Sequence, residues 1–291
     1  MKKIVYLFVL AVVFASCEKN ITLDLPKSES KVVVDGYVET GLPPYIVLSR
    51  SSGYFDPINA STINNLPETG AKIQINDGFL SVEMIEIDTV INGTIIRGIY
   101  FTNANLMIGI PGRTYTINIT TKAGEVITSS TKLQLPVTLD SAWFKLQENN
   151  DTLGLTWAHL TDPDTIGNCY RWFAKRVTKD NLFLAPFGST VEDKFFNGKS
   201  FDFAYNRGNI QNSTADDDNN AEVGLFKKGD TIIVKFCAVD KGTFEFWRDA
   251  ENQMANNGSP FAVPSNIKSN ISGGLGVFSS YSPVYDTIIA R

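Results

Sequence analysis

Residues that could carry hydrolytic chemistry are sparse in this sequence, and histidine is the scarcest of them. The 291-residue chain has one histidine, His159, in the segment LTWAHLTDP. A Ser-His-Asp triad would have to use His159, but the sequence has no GxSxG nucleophile turn. It also lacks the HExxH zinc motif and the GxxxxGK[ST] phosphate loop. We therefore interpret His159 as a structural or solvated residue at the end of a strand, and a hydrolase with an unfamiliar site is a remote alternative.

The densest group of oxygen ligands is the acidic run Asp216-Asp217-Asp218, which two asparagines follow. Calcium takes about 6–8 oxygen ligands, but this run lacks the glycine and glutamate spacing of an EF-hand loop. The glycine-rich stretch 273–276 lacks the strand–turn–helix context of a dinucleotide loop and is typical of a turn or bulge. The sequence therefore predicts no metal, no cofactor and no catalytic residues, which indicates that the protein is not an enzyme.

Two cysteines, Cys169 and Cys237, lie in strand-like segments, and neither has the CxxC spacing of a metal or redox site. In an oxidising compartment, two cysteines at facing strand positions would form a disulfide. A Cys169–Cys237 bridge and two buried free thiols are thus both compatible with the sequence.

The third cysteine, Cys17, ends an N-terminal secretory signal. Two lysines precede an apolar run over residues 4–15, and Ala-Ser-Cys follows it. The run is too short for a hydrocarbon core that needs about 20 residues. The tetrapeptide 14–17, FASC, matches a bacterial lipobox except that Phe14 stands where leucine is usual. We therefore predict cleavage after residue 16 and a lipid anchor on Cys17, with an ordinary signal peptide as the alternative.

Charge argues against nucleic acid as a partner. The net charge is −5, and it becomes −7 once the two lysines of the signal, residues 1–16, are removed. A mildly acidic chain without a basic cluster offers no electrostatic footprint for a phosphate backbone. The lipid on Cys17 is therefore the membrane contact that the sequence predicts.

The rest of the chain predicts an all-β protein. Seven short runs rich in Val, Ile, Thr and Tyr lie between Lys31 and Leu133, separated by turn residues. The segment LMIGIPGRTYTINIT is typical of the tyrosine corner of immunoglobulin and fibronectin-III-like sandwiches, in which the Tyr115 hydroxyl bonds to the backbone a few residues upstream. Any strand after a Pro-Gly turn would give a similar pattern.

Five more strand-like runs follow Pro136, and one helix is predicted over residues 243–256, where apolar residues recur at helical spacing. Residues 179–222 are looser and aromatic, which favours either a contact loop or extra strands around an exposed turn. We predict tandem immunoglobulin/fibronectin-III-like β-sandwiches with one short helix in the second. The predicted division is a signal peptide (1–16), a lipidated tether (17–30), a first sandwich (31–135) and a second sandwich (136–291).

Many segments resemble a known family. They are the Cys17-Glu18 start and residues 32–39, 48–51, 54–56, 70–73, 111–115, 246–248, 260–261, 266–267, 270–271 and 273–278, with Tyr281. The family is the Bacteroidota outer-membrane lipoproteins of unknown function, whose members are commonly encoded beside SusC-type TonB-dependent receptors. The resemblance covers nearly the whole mature chain, implies an outer-membrane location and a receptor partner, and assigns no catalytic residue.

Function is predicted from the anchor, the tandem sandwiches and this resemblance. We expect a non-enzymatic outer-membrane lipoprotein that serves as an accessory or ligand-binding subunit of a TonB-dependent receptor. The alternative is a structural or adhesive surface lipoprotein, because fold alone does not distinguish these roles.

Overall fold

The computed structural model describes residues 29–53, 59–91, 94–208, 224–256 and 266–291, and the fold is all-β as predicted. In chain order the strands are β1 (Val32–Glu39), β2 (Tyr45–Arg50), β3 (Lys72–Asn76), β4 (Ser81–Glu83), β5 (Ile85–Ile91), β6 (Thr94–Phe101), β7 (Thr114–Thr120), β8 (Val126–Lys132), β9 (Ser141–Leu146), β10 (Leu153–Thr161), β11 (Cys169–Arg176), β12 (Thr190–Glu192), β13 (Ser200–Tyr205), β14 (Phe226–Lys227), β15 (Thr231–Val239), β16 (Ile271–Ser272) and β17 (Leu275–Ile289). The described helices are α1 (Ala60–Asn64) and α2 (Lys241–Ala255), and a 3₁₀ turn spans Asp193–Phe195.

The strands form three sheets. The central sheet has eight strands in the order β12-β11-β15-β17-β1-β2-β6-β5. A five-stranded sheet has the order β16-β8-β7-β3-β4, and in a four-stranded sheet β10 pairs with β9, β13 and β14. Each smaller sheet packs an apolar face against the central sheet, so the molecule contains two sandwiches that share one sheet.

The first sandwich follows from period-2 alternation in its strands. In β7 the pattern alternates strictly between exposed and buried residues, and Tyr115, Ile117 and Ile119 point inward. These side chains meet alternate residues of β1, β2 and β6 in one apolar core. The second sandwich is built in the same way: Trp172 and Phe236 of the central sheet pack against residues of β10 and β13.

Strand β17 joins the two sandwiches. Residues 275–281 pair in parallel with β1, whereas residues 282–289 pair antiparallel with β15. The close approach to β1 requires glycine at 276, where φ is +101° and a Cβ would lie 2.0 Å from the Val34 carbonyl oxygen. Residues 271–281 thus pair with strands of the first sandwich, although the sequence assigns them to the second. The reason is a pairing between strands some 240 residues apart, which leaves no local signal.

Helix α2 confirms the predicted helix. It begins after Asp240, whose side chain accepts a hydrogen bond from the backbone N–H of Thr243. Phe244 packs in a third core on the side of the central sheet away from the two smaller sheets. No helix in the described ranges is long and apolar enough to span a membrane.

One local expectation changes, and one of two open alternatives is favoured. The run LSVEMIEID, which reads as one strand, forms β4 in the five-stranded sheet and β5 in the central sheet. The chain crosses between the sheets at Met84, whose N–H donates to the Ile73 carbonyl at 2.8 Å. In the insertion 179–222, the described part contains the short strands β12 and β13, in line with the extra-strand alternative.

Candidate functional site

One face of the central sheet presents apolar side chains to solvent over strands β1, β2, β6 and β5. Cross-strand register aligns its residues in two rows, because directly opposed residues point to the same side of a sheet. We call this surface the outer face, and its residues are Asp35, Val47, Ile99 and Ile87 in one row and Tyr37, Tyr45, Phe101 and Ile85 in the other. The opposite face of these strands packs in the first core.

Several outer-face residues on β2 and on the edge strand β5 are exposed although their side chains are large and apolar. Ile85 is 53% exposed, Tyr45 39% and Ile87 36%. In soluble proteins, a contiguous exposed apolar surface of this kind is often an interaction site. The outer face is therefore the strongest candidate for a contact surface among the described residues.

Two tyrosines of the outer face stack on each other, and one of them also contacts Tyr281 of the neighbouring strand β17. The ring centroids of Tyr37 and Tyr45 are 5.0 Å apart with nearly parallel planes, and Tyr37 lies 4.8 Å from Tyr281. Burial, with the neighbouring Asp35 carboxylate, raises the pKa of Tyr45 to about 12, so its hydroxyl stays protonated at neutral pH. The rings supply rigid contact area with a polar end.

Asp35 is the carboxylate of the outer face. Asp35 is exposed, but the surrounding protein still removes part of its hydration. This desolvation raises the pKa of Asp35, and the positive charge of Arg171 lowers it by a smaller amount. A carboxylate in this setting favours a cation placed against it, because a cation restores the stabilisation that desolvation removes. The outer face thus offers a binding partner an apolar surface with one acidic group.

A buried ion pair lies beneath the tyrosines. Lys235 Nζ is 2.5 Å from Glu39 Oε2, and the two side chains are nearly inaccessible. Glu39 also accepts hydrogen bonds from the hydroxyls of Tyr285, at 3.0 Å, and Tyr37. Burial lowers the pKa of Lys235, but the hydrogen bond to Glu39 outweighs this effect, so the pKa of Lys235 is raised overall. The pair holds Tyr37 in place, and Lys235 stays protonated at neutral pH.

A second buried pair fixes the neighbouring part of the sheet. Arg171 donates to Glu251 of α2 at 3.1 Å and to the Tyr281 hydroxyl at 2.9 Å. Its guanidinium lies 3.7 Å from the ring centroid of Trp247. Ser189 donates to both carboxylate oxygens of Glu251 through its backbone N–H and its hydroxyl. Because these donors and acceptors are mutually satisfied, Arg171 is a structural residue that anchors α2 beside the outer face.

Of the residues that the sequence singles out, Tyr115 has the geometry expected of a tyrosine corner. Its hydroxyl donates to the carbonyl of Ile108 at 2.9 Å and accepts from the N–H of Ile110 at 2.8 Å. Cys17 and the acidic run 216–218 lie outside the described residues. The described residues contain no cluster of three or more His, Cys, Asp or Glu side chains placed to hold a metal.

The sequence leaves open a Cys169–Cys237 bridge or two buried free thiols, and in the structure both cysteines are buried free thiols. They lie on adjacent strands but are not directly opposed: Cys169 faces Val239, and Cys237 faces Arg171. Diagonal neighbours of this kind are about 7–8 Å apart, beyond the usual Cα separation of a disulfide. Burial raises the pKa of each thiol to about 12.

His159 lies on the solvent-facing side of β10. Its Nδ1 is 2.6 Å from Oδ1 of Asp202 on β13, and Ser141 of β9 is opposite it in register. The three residue types are those of a catalytic triad, but the described contacts include no hydrogen bond between Ser141 and His159. The side chains of His159 and Asp202 are 37% and 53% exposed, so the pair lies on open sheet surface.

Sequence reasoning missed the outer face. The alternation in YIVLSR and the apolar run TIIRGIYF were visible, but an apolar residue in a strand does not reveal whether its face is covered. Only the register shows that Ile85, Ile87, Ile99 and Phe101 gather on one side with Tyr45.

Fold and site together define an all-β protein with two sandwiches on one central sheet and no recognisable catalytic centre among the described residues. The family model described as "Domain of unknown function (DUF4249)" matches residues 18–286, and the chain belongs to this family. The search of curated proteins gives no match.

Solved structures of Salmonella alpha-2-macroglobulin are similar over a fraction of their length. A point mutant is 10% identical with a TM-score of 0.23, and the match covers 95% of this chain and 16% of that one. The form reacted with methylamine is 11% identical with a TM-score of 0.23, over 94% of this chain and 15% of that one. The chain therefore spans about a sixth of the length of these structures.

Proposed function

We propose that the protein is a non-enzymatic outer-membrane lipoprotein, anchored through Cys17, that acts as an accessory or ligand-binding subunit of a SusC-type TonB-dependent receptor. The observation that carries this proposal is the exposed apolar outer face. The resemblance to Bacteroidota lipoproteins encoded beside such receptors supports the identity of the partner.

The outer face has the features of a protein contact rather than of a reaction site. It is an array of side chains on a sheet that buried ion pairs hold rigid, so binding costs little ordering of the surface. Covering the exposed half of a side chain such as Ile85 contributes about 1 kcal/mol. Several such residues together would support a stable complex, and Asp35 would select a partner with a cation opposite it.

Co-purification of the receptor tests the proposal. A tagged full-length protein is purified from detergent-solubilised outer membranes, and the captured proteins are identified by mass spectrometry. We expect a TonB-dependent receptor with the wild type and at least about tenfold less with Ile85→Lys, which places a charge in the contact. Val126→Lys is the matched control, because Val126 is a similarly exposed aliphatic residue (58%) on β8 of the five-stranded sheet.

The outcomes separate the candidate functions. Recovery of a receptor with the wild type and Val126→Lys, but not with Ile85→Lys, supports the accessory role and its surface. If the wild type captures no receptor, the structural or adhesive alternative replaces it. Equal recovery with both variants would retain the partner and reject the outer face as the contact.

The anchor has its own test. Cys17→Ser should move the protein from the membrane fraction to the soluble fraction, because the lipid is the proposed membrane attachment. A variant that stays with the membrane would contradict anchoring through Cys17.

A further inference from the structure

A cavity of about 210 Å³ lies in the second sandwich, between the four-stranded sheet and the central sheet. Its lining is almost entirely apolar and comprises Leu160, Val191, Phe201, Phe203, Ala204, Tyr205 and Phe236. We call it the aromatic cavity. It lies on the side of the central sheet opposite the outer face, because Phe236 belongs to the core that the four-stranded sheet covers.

The cavity exists because the two sheets end there without closing. Strand β12 is the last strand of the central sheet, and β13 borders the four-stranded sheet. β12 has three residues, so it covers little of the gap. Val191 from β12 and alternate residues of β13 reach toward each other across this opening and leave a partly open space.

The walls of the cavity are aromatic rings that contact one another. Phe203 is 5.7 Å from Phe201 and 6.1 Å from Phe236, measured between ring centroids. Phe203 and Tyr205 meet edge to face at 5.7 Å. These separations lie in the range of favourable aromatic pairs, so the walls present ring faces and edges of the kind that an additional ring contacts well.

Trp172 supports the cavity from behind and carries an unsatisfied polar group. Its ring stacks on Tyr205 with centroids 5.0 Å apart and meets Phe203 edge to face at 5.7 Å. It is 1% exposed, and its Nε1–H has no hydrogen-bond acceptor among the described residues. Buried donors normally have an acceptor, so an orphan donor on a ring that packs against the walls of the cavity is a second observation in favour of a ligand.

We propose that the aromatic cavity binds one small, neutral molecule with a single aromatic ring. An apolar cavity of about 150 Å³ in another protein is large enough for benzene, whereas drug-sized ligands need about 300 Å³ or more. About 210 Å³ therefore fits one ring with a small polar substituent. A charged ligand is excluded, because the lining has no charged side chain to offset desolvation. This site goes beyond the receptor role and does not depend on it.

Fluorine NMR on the full-length protein in detergent tests the proposal without a substitution. The chain has four tryptophans, and 5-fluorotryptophan labels them all. We expect phenol, titrated to about 10 mM, to shift the Trp172 resonance saturably. Trp172 reports on the cavity because its ring contacts the lining residues Phe203, Tyr205 and Phe236. The other three tryptophans, Trp143, Trp157 and Trp247, are internal controls, because none of them has a described ring contact with a lining residue. Cyclohexanol has the same hydroxyl on a non-aromatic ring and should shift Trp172 at least about tenfold more weakly.

A cavity-filling variant provides the second arm. Val191→Phe places a ring in the space from the β12 side and should abolish the phenol shift, while Val126→Phe, at an exposed position on β8, should leave it unchanged. An unchanged Trp172 resonance in the wild type at the highest phenol concentration would overturn the proposal. An equal response to cyclohexanol would overturn the aromatic class of the ligand.

Discussion

Removing the carboxylate from the buried Glu39–Lys235 pair should destabilise the protein strongly. Glu39 is 3% exposed and Lys235 7%, and Glu39 accepts hydrogen bonds from Lys235, Tyr37 and Tyr285. Glu39→Gln leaves the Lys235 ammonium buried without a counter-charge. Breaking a buried pair from one side costs about 3–5 kcal/mol. For a protein of this size the same change lowers Tm by roughly 6–20 °C.

Urea denaturation followed by tryptophan fluorescence measures this loss, and thermal unfolding provides the Tm. Glu245→Gln is the matched control, because it breaks the Lys268–Glu245 pair, in which the lysine side chain is 57% exposed. An exposed pair contributes at most about 1 kcal/mol. Combining Glu39→Gln with Lys235→Met should recover most of the stability, because the unpaired charge is then gone. If the Glu39→Gln protein is as stable as the Glu245→Gln control, then the buried Lys235 ammonium does not depend on the Glu39 carboxylate.

Further predictions concern the tyrosine corner, acid stability and the thiols. Tyr115→Phe should cost about 1–3 kcal/mol in urea unfolding, because the Ile108 carbonyl loses its donor; a loss under about 0.5 kcal/mol would contradict this. Burial raises the pKa of Asp77, but hydrogen bonds from backbone N–H groups and an arginine outweigh it, so the net pKa is lowered. The Asp77 carboxylate therefore contributes to the free energy of unfolding above about pH 4, and this contribution is lost as pH falls through the folded pKa. Asp77→Asn should weaken the dependence of stability on pH in the acid range, and an unchanged dependence would argue against this role. Because the pKa of each of Cys169 and Cys237 is about 12, neither should react with a thiol reagent until the protein unfolds; a denatured protein without two free thiols would show a bridge.

The local features of the fold could be predicted from the sequence because short-range physics determines them. Alternation in TYTINIT predicts a strand with Tyr115 inward, and the apolar spacing after Asp240 predicts α2. Pro-Gly before Thr114 predicts the turn of the tyrosine corner. Each of these signals lies within about fifteen residues of the element that it predicts.

Long-range pairing could not be predicted in this way. The parallel register that aligns Gly36 with Phe278 depends on the whole fold, and it is what joins two sandwiches into one sheet. The same limit applies to the cysteines, since a shift of two residues in the register between β11 and β15 would have placed Cys169 directly opposite Cys237.

The candidate site depends on what covers each strand. Ile85 and Ile87 read like core residues of a strand, but no described element covers them at the outer face. The aromatic cavity is likewise invisible in the sequence, because FDFAY predicts only that Phe201, Phe203 and Tyr205 share one side of a strand. Whether that side closes against its neighbour depends on the length of β12.

Site-specific photo-crosslinking in cells tests whether the outer face contacts a TonB-dependent receptor. p-Benzoylphenylalanine replaces Tyr45 on the outer face in one strain and Thr116, an exposed residue of β7 on the five-stranded sheet, in another. We expect a crosslink between the Tyr45 position and a TonB-dependent receptor, and none from the Thr116 position. A receptor crosslink from Thr116 alone, or from neither position, would contradict it.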